Sequence, residues 1–230
     1  MTNINIHFVH GWAFDHTFWM PLQGEMKKNN FLFNYYFYDQ GFFGKKKTPN
    51  SKIFQGKNIF IVHSFGFNWL IKNNNLKADL IINFFGSPLF IDQDKKNATQ
   101  KKIFQKMLLE FQTRPKYVLE KFYMNCGMQK SFDFDELNLN KLILALKVLY
   151  VENLILKTRK LENKIFSIFS KDDKILKYRK FDNYFLNPNH KTFKVLDSAS
   201  HAMPYIKPGY CFEIIKMFIK NFLKKECYEK

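Results

Sequence analysis

Apolar runs and helical periodicities alternate along the chain. Ile4 to Val9 is an apolar run ending at His10-Gly11 and reads as a strand entering a loop. Phe31 to Tyr38 predicts a second strand, closed by Asp39-Gln40-Gly41, and Lys45 to Gln55 is polar and loop-like. Asn58 to His63 is a short apolar strand, followed directly by Ser64-Phe65-Gly66 and a helical stretch through Leu70. Leu80 to Phe85 is another buried strand, stopped by Gly86-Ser87-Pro88. The period then changes. Between Asp92 and about Leu156, Ile103, Phe104, Met107, Leu108 and Phe111 recur at helical spacing. Pro115 can open the next helix, with Val118, Leu119 and Phe122 on one face. A third helix is expected over Glu136 to Leu149. Strand character returns at Lys164 to Phe169 and Thr192 to Leu196, and an amphipathic helix from Phe212 to Leu223 closes the chain.

Strands that are apolar throughout, separated by helices, predict an α/β fold with a mostly parallel central sheet and helices on both faces. The helical block at about 92–156 is then an insertion after the fourth recognisable strand. No repeat or linker divides the 230 residues, so a single domain is expected. In such sheets the site lies at the carboxyl ends of the strands, where each polar turn above falls.

Composition changes this picture only in part. The chain carries a net charge of +17 and is 18% aromatic, mostly Phe. Abundant Lys, Asn, Ile and Phe together can arise from an A/T-rich coding sequence, so part of the charge is background. The remainder favours acidic partners. The lysines are spread along the chain, with no zinc-ligand spacing and no ribonucleoprotein-type motif, which argues against nucleic acid. Cys126, Cys211 and Cys227 form no metal or redox motif and fit a reducing compartment. The start MTNINIHFVHGW lacks a signal core, and no apolar stretch is clean enough to span a bilayer. A cytoplasmic monomer without metal, cofactor or membrane partner is expected.

Four polar turns carry candidate chemistry. Ser64 follows a strand and opens a helix, where a serine is either a helix cap or an exposed nucleophile. His10-Gly11-Trp12, Ser170 to Leu176 and Ser198 to Pro204 are the other three. Of the six histidines, His7 lies within a strand and His63 flanks Ser64, while His16 and His190 have no comparable setting. His201 is the best base by elimination and context. Cys126, as a rival nucleophile, has no strand–turn setting.

Val62-His63-Ser64-Phe65-Gly66 resembles the G-x-S-x-G nucleophile elbow of the α/β-hydrolases, with Val62 where that family has glycine. The order Ser64, acid, His201 is the order of that fold. The resemblance implies a triad of Ser64, Asp173 and His201, with Asp173 selected over Asp172 by likeness to the acid loop G-x-x-D-x-I-V. It also implies an oxyanion hole from the backbone N–H groups of Trp12 and Phe65, and makes His10 a loop-shaping residue.

A narrower likeness covers most of the chain. HFVHGWAFDHTFW, Tyr38-Asp39-Gln40-Gly41-Phe42-Phe43-Gly44, Gly86-Ser87-Pro88-Leu89-Phe90 and SASHAMPYIKPGYCFEII resemble segments of the pimeloyl-[acyl-carrier protein] methyl ester esterases of biotin synthesis. So do Phe111-Gln112, Leu119-Glu120-Lys121-Phe122 and Gly127 in the helical insertion, which is the lid of that family. This implies a carboxylesterase acting on the methyl ester of a pimeloyl chain held by acyl carrier protein. Substrate would lie against Trp12, Ser64, Phe65 and the run Phe122, Tyr123, Met124, Asn125, Cys126. Lys121 falls on a basic carrier-binding position; Arg114, Lys116, Lys101 and Lys102 are nearby candidates. The departures at Val62 and Phe67, and the short segment before the nucleophile strand, bear on the substrate more than on the chemistry. A general short-acyl carboxylesterase without a carrier and a non-catalytic binding protein of the same fold are the alternatives.

Overall fold

The computed structural model describes residues 3–49, 55–73, 76–92, 98–128, 136–176 and 191–228. Six strands form one sheet: β1 (Ile4–Val9), β2 (Asn34–Tyr38), β3 (Lys57–His63), β4 (Leu80–Phe84), β5 (Lys164–Ser170) and β6 (Lys191–Leu196). Their order is β2-β1-β3-β4-β5-β6 and every pairing is parallel. All carboxyl ends therefore lie at one edge, and the four loops singled out above leave from it.

Side chains alternate between two buried faces, as a pleated strand requires. Ile59 and Ile61 of β3, with Phe8, Ile82, Phe84, Phe166 and Ile168, belong to one core cluster. The helices α1 (Met20–Lys28) and α8 (Pro208–Tyr228) pack there through Leu22, Met26, Phe212, Ile215 and Ile219. Phe60 and Val62 face the other way, into a second cluster with Tyr38, Ile81 and Phe169. Phe67, Leu70 and Ile71 of α2 (Phe65–Lys72) cover that face.

Between β4 and β5 run α3 (Ala98–Thr113), α4 (Pro115–Asn125), α5 (Leu139–Val151) and the short α6 (Ile155–Arg159). Phe104, Phe111, Leu119, Phe122, Leu142 and Leu146 bury the inner face of this insertion in the same cluster as the first sheet face. Asn138 caps α5, its side chain accepting the Lys141 N–H at 3.1 Å, which moves the start from the expected Glu136 to Leu139. Strand β2 begins at Asn34 rather than Phe31: Phe31 stacks edge-on against Phe33 and against Phe212 of α8, so it packs the connection. Helix α8 begins at Pro208, four residues ahead of the expected start. A 3₁₀ turn (His16–Trp19), α1 and the single turn α7 (Met203–Ile206) are further elements that the apolar pattern does not predict. No helix is found between β2 and β3 among the described residues. The Lys45–Gln55 loop and His190 lie partly or wholly outside them. No helix among them is long and apolar enough to cross a membrane.

Candidate active site

Ser64 sits in the turn between β3 and α2 with φ 51° and ψ −120°. Residues other than glycine rarely occupy positive φ, and such strain concentrates at functional sites. The turn is tight because α2 passes close to β1. A Cβ on Gly66 would lie 2.5 Å from the Val9 carbonyl oxygen and 2.7 Å from that of His10. Ser64 makes no side-chain cap bond to α2. Its hydroxyl lies 2.9 Å from His201 Nε2 instead. Of the two readings of Ser64, the structure shows no cap.

On the other side of the His201 ring, Nδ1 is 2.7 Å from Asp173 Oδ2. Asp173 Oδ1 accepts the Ile175 and Leu176 N–H groups at 2.8 and 3.0 Å, so the carboxylate is held at both oxygens. His201 is fully buried and Asp173 nearly so. Asp172, the competing acid, is exposed and makes no contact with His201 among the described residues. Ser170 Oγ accepts the Ala199 N–H at 2.8 Å and the Asp172 N–H at 3.2 Å, stitching the acid loop to the histidine loop.

Loop 10–14 closes the other wall. His10 Nδ1–H donates to the Gly11 carbonyl at 2.9 Å, and its Nε2 accepts the Gln40 N–H at 3.0 Å. Gln40 returns a bond from its side-chain amide to the His10 carbonyl at 2.6 Å. His10 is therefore spent on shaping the loop. Asp39 braces the same corner through the Gly41 N–H at 2.8 Å and His16 Nδ1 at 3.0 Å. Burial would raise the Asp39 carboxyl, but the hydrogen bonds from His16 and the Gly41 N–H hold it well below the usual range. The sequence places Asp39, Gln40 and Ser170 in turns after strands but gives none of them these bonding roles. The Trp12 and Phe65 N–H groups have no acceptor among the described residues, which leaves two donors at the loop and at the helix N-terminus.

No family model matches the sequence, and no curated protein is a significant match. Solved structures do match over nearly the whole chain. A lipase-esterase related protein from Clostridium acetobutylicum superposes with a TM-score of 0.70, at 15% identity over 94% of each chain. An esterase from Exiguobacterium antarcticum gives 0.76, at 12% identity over 96% of this chain and 93% of its own. MenH from S. aureus gives 0.71, at 12% identity over 97% and 96%. The chain has the α/β-hydrolase fold.

Within that fold, Val62 is the departure at the elbow. It is fully buried in the cluster that holds Phe67, Leu70 and Ile71 of α2. The side chain thus points away from Ser64 into the sheet–helix interface, and its bulk becomes core packing. The close approach that demands a missing Cβ falls at Gly66.

Among the described residues, the insertion bonds the loop after β2 through the Glu136 carbonyl and the Asn138 N–H, and three further bonds tie it to the segments around Trp12 and His201. Trp12 Nε1–H donates to the Leu142 carbonyl at 2.9 Å, Tyr123 Oη–H to the Ala13 carbonyl at 2.6 Å, and the Ala202 N–H to the Cys126 carbonyl at 3.1 Å. The Trp12 ring meets Phe111 and Phe122 edge-on, with centroids 5.5 and 4.8 Å apart. Phe122, Tyr123 and Cys126 face inward. Met124 is 64% exposed and Asn125 is also exposed, so these two residues of the expected run Phe122 to Cys126 face outward. Successive helical residues turn by about 100°, and a contiguous run cannot share one face. Burial and the Asp173 carboxylate push the Cys126 thiol well up, so it remains a thiol. Lys102, Arg114, Lys116 and Lys121 lie on the exposed surface of the insertion, with Lys101 half-buried. Arg114 and Lys121 sit over the Tyr117 ring, 5.0 and 4.3 Å from its centroid, and Arg114 also pairs with Glu110 at 3.2 Å. Among the described residues, no cluster of His, Cys, Asp and Glu could hold a metal ion.

Proposed function

We propose that the protein is a serine carboxylesterase whose substrate is the methyl ester of a pimeloyl chain carried by acyl carrier protein. The observation that carries the chemistry is the unbroken hydrogen-bond chain Ser64 Oγ, His201, Asp173 in a buried site. Its geometry suits acyl transfer. As Ser64 Oγ attacks the ester carbonyl, His201 Nε2 takes its proton and Asp173 stabilises the imidazolium. The Trp12 and Phe65 N–H groups would receive the oxyanion. His201 then returns the proton to the departing methoxide, giving methanol and an acyl-serine. Water, deprotonated by the same imidazole, attacks the acyl-serine; the carboxylic acid and free serine result.

Two features support the finer reading. The sequence motifs of the insertion resemble those of the pimeloyl-carrier esterases, and the insertion presents Arg114, Lys116 and Lys121 at its surface. Cations there would attract an acidic carrier over a distance set by the ionic strength.

Ser64→Ala should lower turnover of p-nitrophenyl butyrate by about 10⁴-fold or more while the fold persists. Unchanged turnover would remove the triad. For the carrier, hydrolysis of methyl pimeloyl-carrier should exceed that of free methyl pimelate, and the excess should shrink with added salt. Equal rates on both substrates would leave a general short-acyl esterase.

A further inference from the structure

We propose that His63, the residue before Ser64, is a positioning residue that fixes the backbone of His201; this rests on the esterase reading of the same site. His63 is fully buried. Its Nε2 lies 2.9 Å from the His201 carbonyl oxygen, on a chain segment 138 residues away. A carbonyl only accepts, so the ring carries its proton on Nε2 and donates it. That bond is the one found for the His201 carbonyl among the described residues.

The rest of the ring is locked by packing. Phe18 stacks on it at 4.5 Å with a 22° interplanar angle, and Phe14 meets it edge-on at 5.5 Å. Nδ1 has no hydrogen-bond partner, and it faces Gly11: a Cβ added there would lie 2.7 Å away. One ring therefore touches all three parts of the machinery. It is covalently adjacent to Ser64, it abuts the loop that precedes Trp12, and it holds His201 by its main chain.

The consequence is directional. His201 must reach Asp173 Oδ2 at 2.7 Å and Ser64 Oγ at 2.9 Å at once. Its side chain is fixed by those two bonds only if its backbone is fixed independently. Burial and the neighbouring His201 charge hold the His63 imidazole well below its ordinary range. It therefore stays neutral while His201, 4.9 Å away between ring centroids, gains and loses a proton. A second cation there would oppose the imidazolium.

The experiment compares His63→Phe, which keeps an aromatic ring without the donor, with His63→Gln, which places an amide N–H near Nε2. In H63F, kcat on p-nitrophenyl butyrate should fall by about 10- to 100-fold with KM little changed, and H63Q should recover most of it. The low-field proton NMR signal of His201 Nδ1–H should be lost or displaced in H63F and retained in H63Q. In the parent, ¹⁵N NMR should show His63 protonated on Nε2 and bare on Nδ1. A proton on Nδ1 in the parent overturns the proposal even if neither variant folds. So does an H63F variant whose kcat and His201 signal match the parent, or an H63Q variant no better than a folded H63F. A parent that shows the expected tautomer and NMR response yet hydrolyses no ester would instead remove the esterase reading and leave the positioning role standing.

Discussion

Asp173→Asn separates the role of the acid from its place in the fold. Asp173 Oδ1 accepts two backbone N–H groups, so in the variant the amide oxygen should stay on that side. The amide NH₂ then points at His201 Nδ1, in place of the oxygen that sits 2.7 Å from it. An NH₂ group needs an acceptor there, and the imidazole can supply one only by moving its proton to Nε2. Nε2–H then faces Ser64 Oγ and cannot take its proton. The loss also removes the carboxylate that stabilises the imidazolium. Together these should lower kcat by about 10⁴-fold, equivalent to about 5.5 kcal/mol of transition-state stabilisation. The melting temperature should change little, because both loop bonds survive. Asp172→Asn is the control: its side chain is exposed, and kcat should stay within about twofold, as for surface changes generally. Steady-state hydrolysis of p-nitrophenyl butyrate with a thermal melt on the same samples reads both. A D173N variant within tenfold of the parent, or a D172N variant that collapses instead, would refute this account of the acid.

Two further outcomes concern the wall of the site and the core. Phe122→Leu should lower kcat/KM on longer acyl esters by about 10-fold through the lost contact with Trp12, while Met124→Ala should leave it within about twofold. For pH, burial lowers the His7 imidazole to about 4 despite its hydrogen bond to Asn58. A folded value below the unfolded one means the unfolded chain binds more protons between them. Stability from His7 is therefore complete above about pH 6.5 and falls by about 2 kcal/mol on acidification to pH 5. Urea melts across that range should show the decline, and His7→Gln should flatten it; an unaltered slope would argue against a neutral buried His7.

The residues that the structure brings together as the candidate site were more legible in the sequence than the packing around them. Ser64, Asp173 and His201 each stand in a polar turn after an apolar strand, and that punctuation survives in a single sequence. The strands β1, β3, β4 and β5 were equally plain, because burial on both faces leaves them mostly apolar, with a few buried polar residues such as His7 and Asn83. Helix α1 was missed because it turns only Leu22 and Met26 to the core and contains Gly24. Pro21 in its first turn was the available signal. Met124 and Asn125 were placed in the pocket because a motif is contiguous while a helix face is not. The partners of His63, Ser170 and Gln40 were not legible in the sequence, since each reaches a backbone group at least 29 residues away in the chain.

The bonds from the insertion to the segments around Trp12 and His201 also bear on how such a protein can be rearranged. Tyr123 and the Leu142 and Cys126 carbonyls come from different places in the insertion, yet they meet Ala13, Trp12 and Ala202, in the loop after β1 and beside His201. An insertion transplanted from another protein of this fold as a cassette would bring its own helices but not these attachment points. The recipient would regain a roof over its site and lose the moorings of the loops beneath it, so exchange of substrate range by grafting should require the insertion and both loops to travel together.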